Sequence, residues 1–227
     1  MDTMDINRQK REMRREIRRR KEVFFANTSA EERQRLANSI LNNVAMTEAF
    51  KNAKTVLAYF SLDDELDTRA FLARMVQSKN ANVRPKQILL PKVIGEELSL
   101  HPFNDEGDLQ QGSYGIMEPQ TEEIADYSKV DLVIVPGMAF DSEGHRLGRG
   151  KGYYDRLFAN ALNKDVVKIG VCYPFQMVEK VPSMDFDVKM DAVFPPTTQR
   201  GGTMAKPLGG IGHVNRRYRL DRQDRLL

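Results

Sequence analysis

The stretch Val130–Leu162, "VDLVIVPGMAFDSEGHRLGRGKGYYDRLFANAL", decides how the rest of the chain is read. Val130–Phe140 is almost wholly apolar and rich in β-branched residues, the pattern of a strand buried on both faces. Tyr153–Leu162 carries apolar residues at helical spacing. Between and into them runs Glu143–Phe158, with four glycines, the four cations Arg146, Arg149, Lys151 and Arg156, and two adjacent tyrosines. Glycines let backbone N–H groups approach a ligand closely, cations supply charge, and the following helix adds the positive end of its dipole. A strand, an anion-suited loop and a helix in that order predict phosphate at the end of a strand in an α/β protein.

The flanking sequence repeats the alternation. Lys54–Phe60 ("KTVLAYF"), Gln87–Val93 ("QILLPKV"), Val166–Tyr173 ("VVKIGVCY") and Met190–Phe194 ("MDAVF") read as strands, and Glu97–Phe103 ("ELSLHPF") as a more alternating strand at an edge. Thr28–Val44 reads as an amphipathic helix that Thr28 or Ser29 caps, with Glu31 or Glu32 three residues on, and Asp67–Ser78 as a helix capped by Asp67. Strands alternating with helices imply a single three-layer α/β/α domain with a mostly parallel open sheet and ligands beyond the carboxyl ends of the strands. The loop after the first strand, "SLDDELDT", then becomes site material alongside the glycine-rich stretch, with Asp63, Asp64 and Glu65 as its acids. Asn104–Pro119 is a Gly/Asp-rich segment between strands. Residues 1–195 are expected to form the domain, and 196–227, basic and rich in Gly and Pro, a mobile extension.

The N-terminal run "MDTMDINRQKREMRREIRRRKEVFF" places Ile6, Met13, Ile17 and Phe24 on one helical face, which predicts a basic helix docked on the domain and not a free arm. Arg11, Arg15 and Arg19 point away, partly balanced by Glu12 and Glu16. Lys10 and Arg14 stand at the margin of the docked face, where a cation either reaches water or meets an anion.

Composition narrows the classes. The 227 residues include 35 basic and 32 acidic side chains, a net charge of +3 that does not by itself argue for nucleic acid. The single Cys172 excludes an intramolecular disulfide and a multi-cysteine metal site, and reads as a small apolar filler. No apolar run approaches membrane-spanning length and the N-terminus lacks the apolar core of a signal peptide, so a cytoplasmic protein without a membrane partner is expected.

Three phosphate-binding patterns fail on the glycine-rich stretch. A P-loop needs glycine where His145 stands and a hydroxyl where Gly152 stands. A dinucleotide fingerprint does not interleave Arg149 and Lys151 between its glycines. An RNA-recognition strand needs a small residue and further aromatics where Tyr154 and Asp155 follow. The "RGKGYY" patch with the basic helix keeps single-stranded nucleic-acid binding open as a second class.

The run "PGMAFDSEGHRLGRGKGYYDR" closely resembles the signature of the 5-formyltetrahydrofolate cyclo-ligase family. The resemblance extends to "KREMR" in the first helix, "YFSLDDELDT" after the first strand, "YGIMEP" in the middle and "DVKMDAVF" near the end, from about Arg8 to Phe194. It implies ATP- and magnesium-dependent conversion of 5-formyltetrahydrofolate to 5,10-methenyltetrahydrofolate with release of ADP and phosphate. The formyl oxygen attacks the γ-phosphate to give an N5-iminium phosphate, N10 attacks the activated carbon, and phosphate leaves. Such chemistry asks for positioning and charge neutralisation more than for a protein nucleophile.

Matched residue by residue, the resemblance places Lys10, Arg11 and Arg14 on ATP together with Arg146, Leu147, Gly148, Arg149, Gly150, Lys151, Gly152, Tyr153 and Tyr154. Lys10, Arg149 and Lys151 are the cations expected to act on the transferring phosphate. Phe60, Glu65 and Tyr114 match folate-contacting positions, as do Arg149 to Tyr153, with Phe60 packing on the pterin and Glu65 accepting from its amino group. Asp155 and Asp191 match magnesium-associated aspartates. His145 is read as a solvated loop residue without a role. The partners expected are small-molecule substrates of a monomer, and the remaining alternative is a related ATP-dependent enzyme with a different acceptor.

Overall fold

The computed structural model describes residues 3–77, 86–112 and 117–195; Tyr114 and the whole extension from residue 196 lie outside the described residues. In chain order the elements are α1 (Thr3–Asn27), α2 (Ala30–Ala45), α3 (Glu48–Asn52), β1 (Thr55–Leu57), α4 (Arg69–Gln77), β2 (Gln87–Ile94), β3 (Glu97–Pro102), β4 (Leu109–Gln111), β5 (Met117–Pro119), β6 (Leu132–Val135), β7 (Ala139–Phe140), β8 (Arg146–Leu147), α5 (Tyr153–Asn160), β9 (Val167–Val171) and β10 (Ala192–Phe194).

Six strands form one sheet in the order β10-β9-β6-β1-β2-β3. All neighbours are parallel except β3, which returns antiparallel along β2 and closes one edge. Side chains alternate between two cores. Val56, Ile88, Leu132, Ile134 and Ile169 face the layer built by α2, α3 and α4, where Ile40, Leu41, Phe50, Phe71 and Leu72 pack. Leu57, Leu89, Val133 and Val135 face the other layer, filled by Leu157 and Phe158 of α5 and by Phe140. The expected three-layer α/β/α arrangement is present, and no helix among the described residues is long and apolar enough to cross a membrane.

The strand order fixes where a ligand goes. Taken among the parallel strands, β2-β1-β6-β9-β10 is a doubly wound order, and the chain leaves β1 toward one face and β6 toward the other. A cavity lined by Tyr59 after β1 and by Pro136 and Gly137 after β6 lies at that switch point.

Several local features follow from the residues. Ser29 caps α2 and Glu32 returns the bond to the Ser29 backbone, a complete capping box that selects Ser29 over Thr28. Asp67 accepts from the Arg69 backbone N–H and so closes the start of α4 as expected. The apolar run Val130–Phe140 is two strands and not one: Pro136 lacks the N–H to continue the ladder, and the chain turns back as the β7–β8 hairpin. The β7 residue Phe140 then lies against Gly170 of β9, where an added Cβ would meet the ring at 2.5 Å. Cys172 is buried there as filler, its thiol pushed up by burial.

Candidate active site

Three segments meet at the switch point: the loop after β1, the glycine-rich loop between β8 and α5, and the middle of α1. The β1 loop is shaped by its own side chains. Thr68 donates its hydroxyl to the Tyr59 carbonyl at 2.6 Å, while its backbone N–H donates to the Ser61 hydroxyl oxygen at 3.1 Å. Glu65 closes a turn with Leu62, accepting the Leu62 N–H on Oε2 at 3.1 Å. That bond fixes the carboxylate and turns Oε1 outward, toward the glycine-rich loop.

The glycine-rich loop hangs from a hairpin with one buried anchor. Asp141, 1% exposed, accepts on Oδ1 from the Glu143 and His145 N–H groups and on Oδ2 from the Val181 N–H, each at 2.9–3.0 Å. The His145 ring also meets this carboxylate, Nδ1 lying 3.0 Å from Oδ2. His145 is therefore held in the hairpin instead of standing in a solvated loop, because its ring completes the shell of a buried carboxylate. Beyond β8, Gly150 and Gly152 take left-handed backbone angles, φ 104° and 71°. Gly152 sits at the start of α5, so no side chain caps that helix.

Arg149 leaves this loop and crosses to the β1 loop. Its Nη2 lies 2.8 Å from Glu65 Oε1 and 3.1 Å from Asp64 Oδ1, and Nε donates to Glu65 at 3.2 Å. Lys21 of α1 grips the other oxygen of Asp64. Burial works against the Asp64 charge, but Lys21 and Arg149 hold its carboxyl below the usual range. The Arg149 guanidinium is in turn held up by Glu65 and Asp64 against its own desolvation. One ionic network thus ties α1, the β1 loop and the glycine-rich loop around a cavity of about 440 Å³. Ile17, Tyr59, Leu66, Met138, Val171 and Phe175 give it apolar walls, and Arg18, Lys21, Asp64, Glu65, Arg149 and Gln176 its polar groups.

The docked helix is as the spacing predicts. Ile17 is buried, and Phe24 packs on Tyr173 and Phe175 with ring centroids 5.0 Å apart in each pair. Lys10 is buried and pairs with Asp187 at 2.5 Å. Arg14 donates from Nε to the Gly148 carbonyl at 2.9 Å, and its guanidinium lies against Gly150, where a Cβ would come within 3.4 Å. Burial and the neighbouring Arg18 lower the Arg14 pKa. Arg11 is exposed on the outer face, as its spacing implies, one turn away from the loop that Arg14 touches. That outer face is partly neutralised, since Arg8 pairs with Asp5 and Arg19 and Arg20 both pair with Glu16.

The remaining predicted residues separate. Lys151 is exposed on the glycine-rich loop next to Gly150. Arg146 is turned inward, 5% exposed along its side chain, with Nη2 on the Asp155 carboxylate at 3.1 Å, its guanidinium 5.5 Å from the Tyr154 ring and its Nε without a partner. Leu147 is buried in β8, Tyr154 packs on Phe158, and Tyr153 donates to the Gly95 carbonyl. Asp155 stands on the first turn of α5. Asp191 is at the start of β10, accepting the Lys168 N–H at 2.7 Å and pairing with its ammonium at 3.1 Å. The two aspartates share no partner, and among the described residues no group of three or more His, Cys, Asp or Glu is arranged around a metal. Phe60 packs on Phe103, and Tyr59 is the aromatic residue of the β1 loop that lines the cavity.

Sequence reasoning did not single out Lys21, Tyr59, Phe175, Gln176 or Asp187. Asp187 opens the segment "DVKMDAVF", but nothing in that segment shows that its carboxylate returns to Lys10.

Comparison with known proteins gives a consistent result. The sequence model of the 5-formyltetrahydrofolate cyclo-ligase family matches residues 6–196. The 5-formyltetrahydrofolate cyclo-ligase of Haemophilus influenzae is 30% identical over 199 residues, 82% of this chain and 97% of that protein. The Escherichia coli 5-formyltetrahydrofolate cyclo-ligase is 31% identical over 147 residues, 64% of this chain and 79% of that protein. Among solved structures, the Aquifex aeolicus 5,10-methenyltetrahydrofolate synthetase superposes with a TM-score of 0.68 at 34% identity, covering 86% of this chain and 95% of that one.

Proposed function

The chain belongs to the 5-formyltetrahydrofolate cyclo-ligase family, and from that premise we propose that it closes the ring of 5-formyltetrahydrofolate at the expense of ATP, with the reacting groups brought together in the switch-point cavity. The observation that carries this reading is Arg149: a cation of the glycine-rich loop lies on Glu65 of the β1 loop at the wall of one cavity. A residue suited to phosphate and a residue suited to a ring amino group thus share a single site.

In this reading Glu65 accepts from the amino edge of the pterin, its second oxygen already fixed by Leu62. The apolar walls, Tyr59 and Leu66 among them, cover the ring faces. Arg149 and Lys151 neutralise the phosphate oxygens as the formyl oxygen attacks. The uncapped N–H groups at the start of α5 and the backbone of Gly148–Gly152 supply further donors. Arg14, lying on Gly148 and Gly150, and Lys10 extend the positive track along α1. N10 then attacks the activated carbon, and the phosphate leaves toward the same cations.

A magnesium ion, when bound, supplies charge neutralisation between phosphate oxygens. Asp155 would hold it, because the first turn of α5 carries this carboxylate directly after the glycine-rich loop, where it would exchange its Arg146 partner for the ion. Asp191 stands instead at the entry to β10, where its carboxylate joins β10 to β9 through the Lys168 N–H and ammonium. The test is ADP release by the purified protein with magnesium, measured with and without 5-formyltetrahydrofolate. Release that requires the folate supports the proposal, and release independent of it would remove the folate from the reaction.

A further inference from the structure

Five large hydrophobic side chains are well exposed among the described residues, and Phe186 is the one aromatic among them, 71% exposed. A single exposed apolar residue is ordinary on a protein surface. What distinguishes Phe186 is its place. The next residue, Asp187, pairs with buried Lys10 and accepts the Met184 N–H, and its own N–H donates to the Met184 carbonyl at 3.0 Å. The ring is therefore carried on a closed turn, and the Lys10 ammonium lies 6.0 Å from its centroid.

Helix α1 gives this position a direction. Ile17 and Lys21 of α1 line the switch-point cavity, Arg14 touches the glycine-rich loop, and Lys10 meets Asp187 beside Phe186. From Ile17 to Lys10 is about 10 Å of helix. In the proposed reaction the γ-phosphate must lie at the cavity, where the acceptor is. A triphosphate that follows Arg14 and then Lys10 has its nucleoside end beyond Lys10, and the group waiting there is a planar, exposed aromatic ring.

We infer that Phe186 is the platform on which the nucleobase of the triphosphate stacks, and that this contact, not the cation track, distinguishes a nucleotide from a bare polyphosphate. The inference rests on the proposed use of ATP. Stacking on an aromatic side chain is sequence-tolerant and worth enough to read in a binding curve.

The experiment compares ATP with inorganic tripolyphosphate as ligands of the full chain. Phe186→Ala is expected to weaken ATP binding about tenfold and to leave tripolyphosphate binding unchanged. Phe186→Trp should keep ATP affinity and, since the chain contains no other tryptophan, should report ATP by a change in fluorescence that tripolyphosphate does not produce. Equal losses for both ligands in Phe186→Ala, or a tryptophan blind to ATP, would overturn the inference. ATP binding by the wild type that Phe186→Ala leaves intact overturns this inference alone, whereas a wild type that binds no ATP overturns the function reading with it.

Discussion

Arg149 and Glu65, brought together from loops after two different strands, form a paired contact at the mouth of the switch-point cavity, Nη2 2.8 Å from Oε1. Arg149 also meets Asp64, and Glu65 also accepts the Leu62 N–H. A phosphate that takes Arg149 releases Glu65, and a ring amino group that takes Glu65 releases Arg149, so the contact stands between the two substrates of the proposed reaction.

Replacing Glu65 by Gln tests the acceptor half of that contact. Loss of a hydrogen bond to a charged group is worth about 1.5–3 kcal/mol, so kcat/KM for the folate should fall roughly tenfold to a hundredfold. KM for ATP should change much less. Global stability should move by under about 1 kcal/mol, because the ion pair is half-exposed on the arginine side. Steady-state kinetics with each substrate varied in turn is the check, and equal losses for both would argue against ring recognition by Glu65.

Lys10→Met keeps the buried stem and removes the charge. It should raise KM for MgATP, leave KM for the folate close to wild type, and lower stability by about 1–3 kcal/mol, because Asp187 loses its partner in a mostly buried place. Kinetics and urea unfolding read the two effects separately. A stability loss with unchanged nucleotide kinetics would make Lys10 purely structural.

The Asp64 bridge predicts a pH dependence whose sign follows from its depressed carboxyl. A group whose folded pKa lies below its unfolded value, about 3.9 for Asp, adds stability above that value and loses it as pH falls through the folded pKa. Asp64→Asn should therefore be less stable than wild type at neutral pH, and the two should converge in strong acid. The difference should stay under about 1 kcal/mol, since the side chain is 45% exposed. Denaturant midpoints at a series of pH values test it.

Ending the chain after Pro195 should leave activity and thermal midpoint unchanged, because residues 3–195 already supply a core on both faces of the sheet and a cavity lined from α1, the β1 loop and the glycine-rich loop. A large loss of activity in the truncated chain would place the basic extension in the site.

Much of this arrangement was legible in the sequence. Hydrophobic periodicity carried the parallel strands and the docked helix, and the glycine-rich stretch carried the idea of an anion. Three things were not legible, each for a physical reason. Helix α3 spans only Glu48–Asn52, too short to show a period. Asp63 and Asp64 are indistinguishable as letters, yet Asp63 points to solvent and Arg69 while Asp64 joins Lys21 and Arg149. Lys10 and Asp187 are separated by 177 positions, and only the return of the chain along the sheet makes them neighbours.

Whether the protein closes the folate ring is read from the near-ultraviolet absorbance of purified protein mixed with 5-formyltetrahydrofolate, ATP and magnesium, omitting each in turn. Methenyl product is expected only when all three are present, with a loss of at least tenfold in Arg149→Ala (roughly 1.4 kcal/mol of transition-state stabilisation). Product formed without ATP, or no product while ATP and the folate both bind, would contradict the proposed reaction.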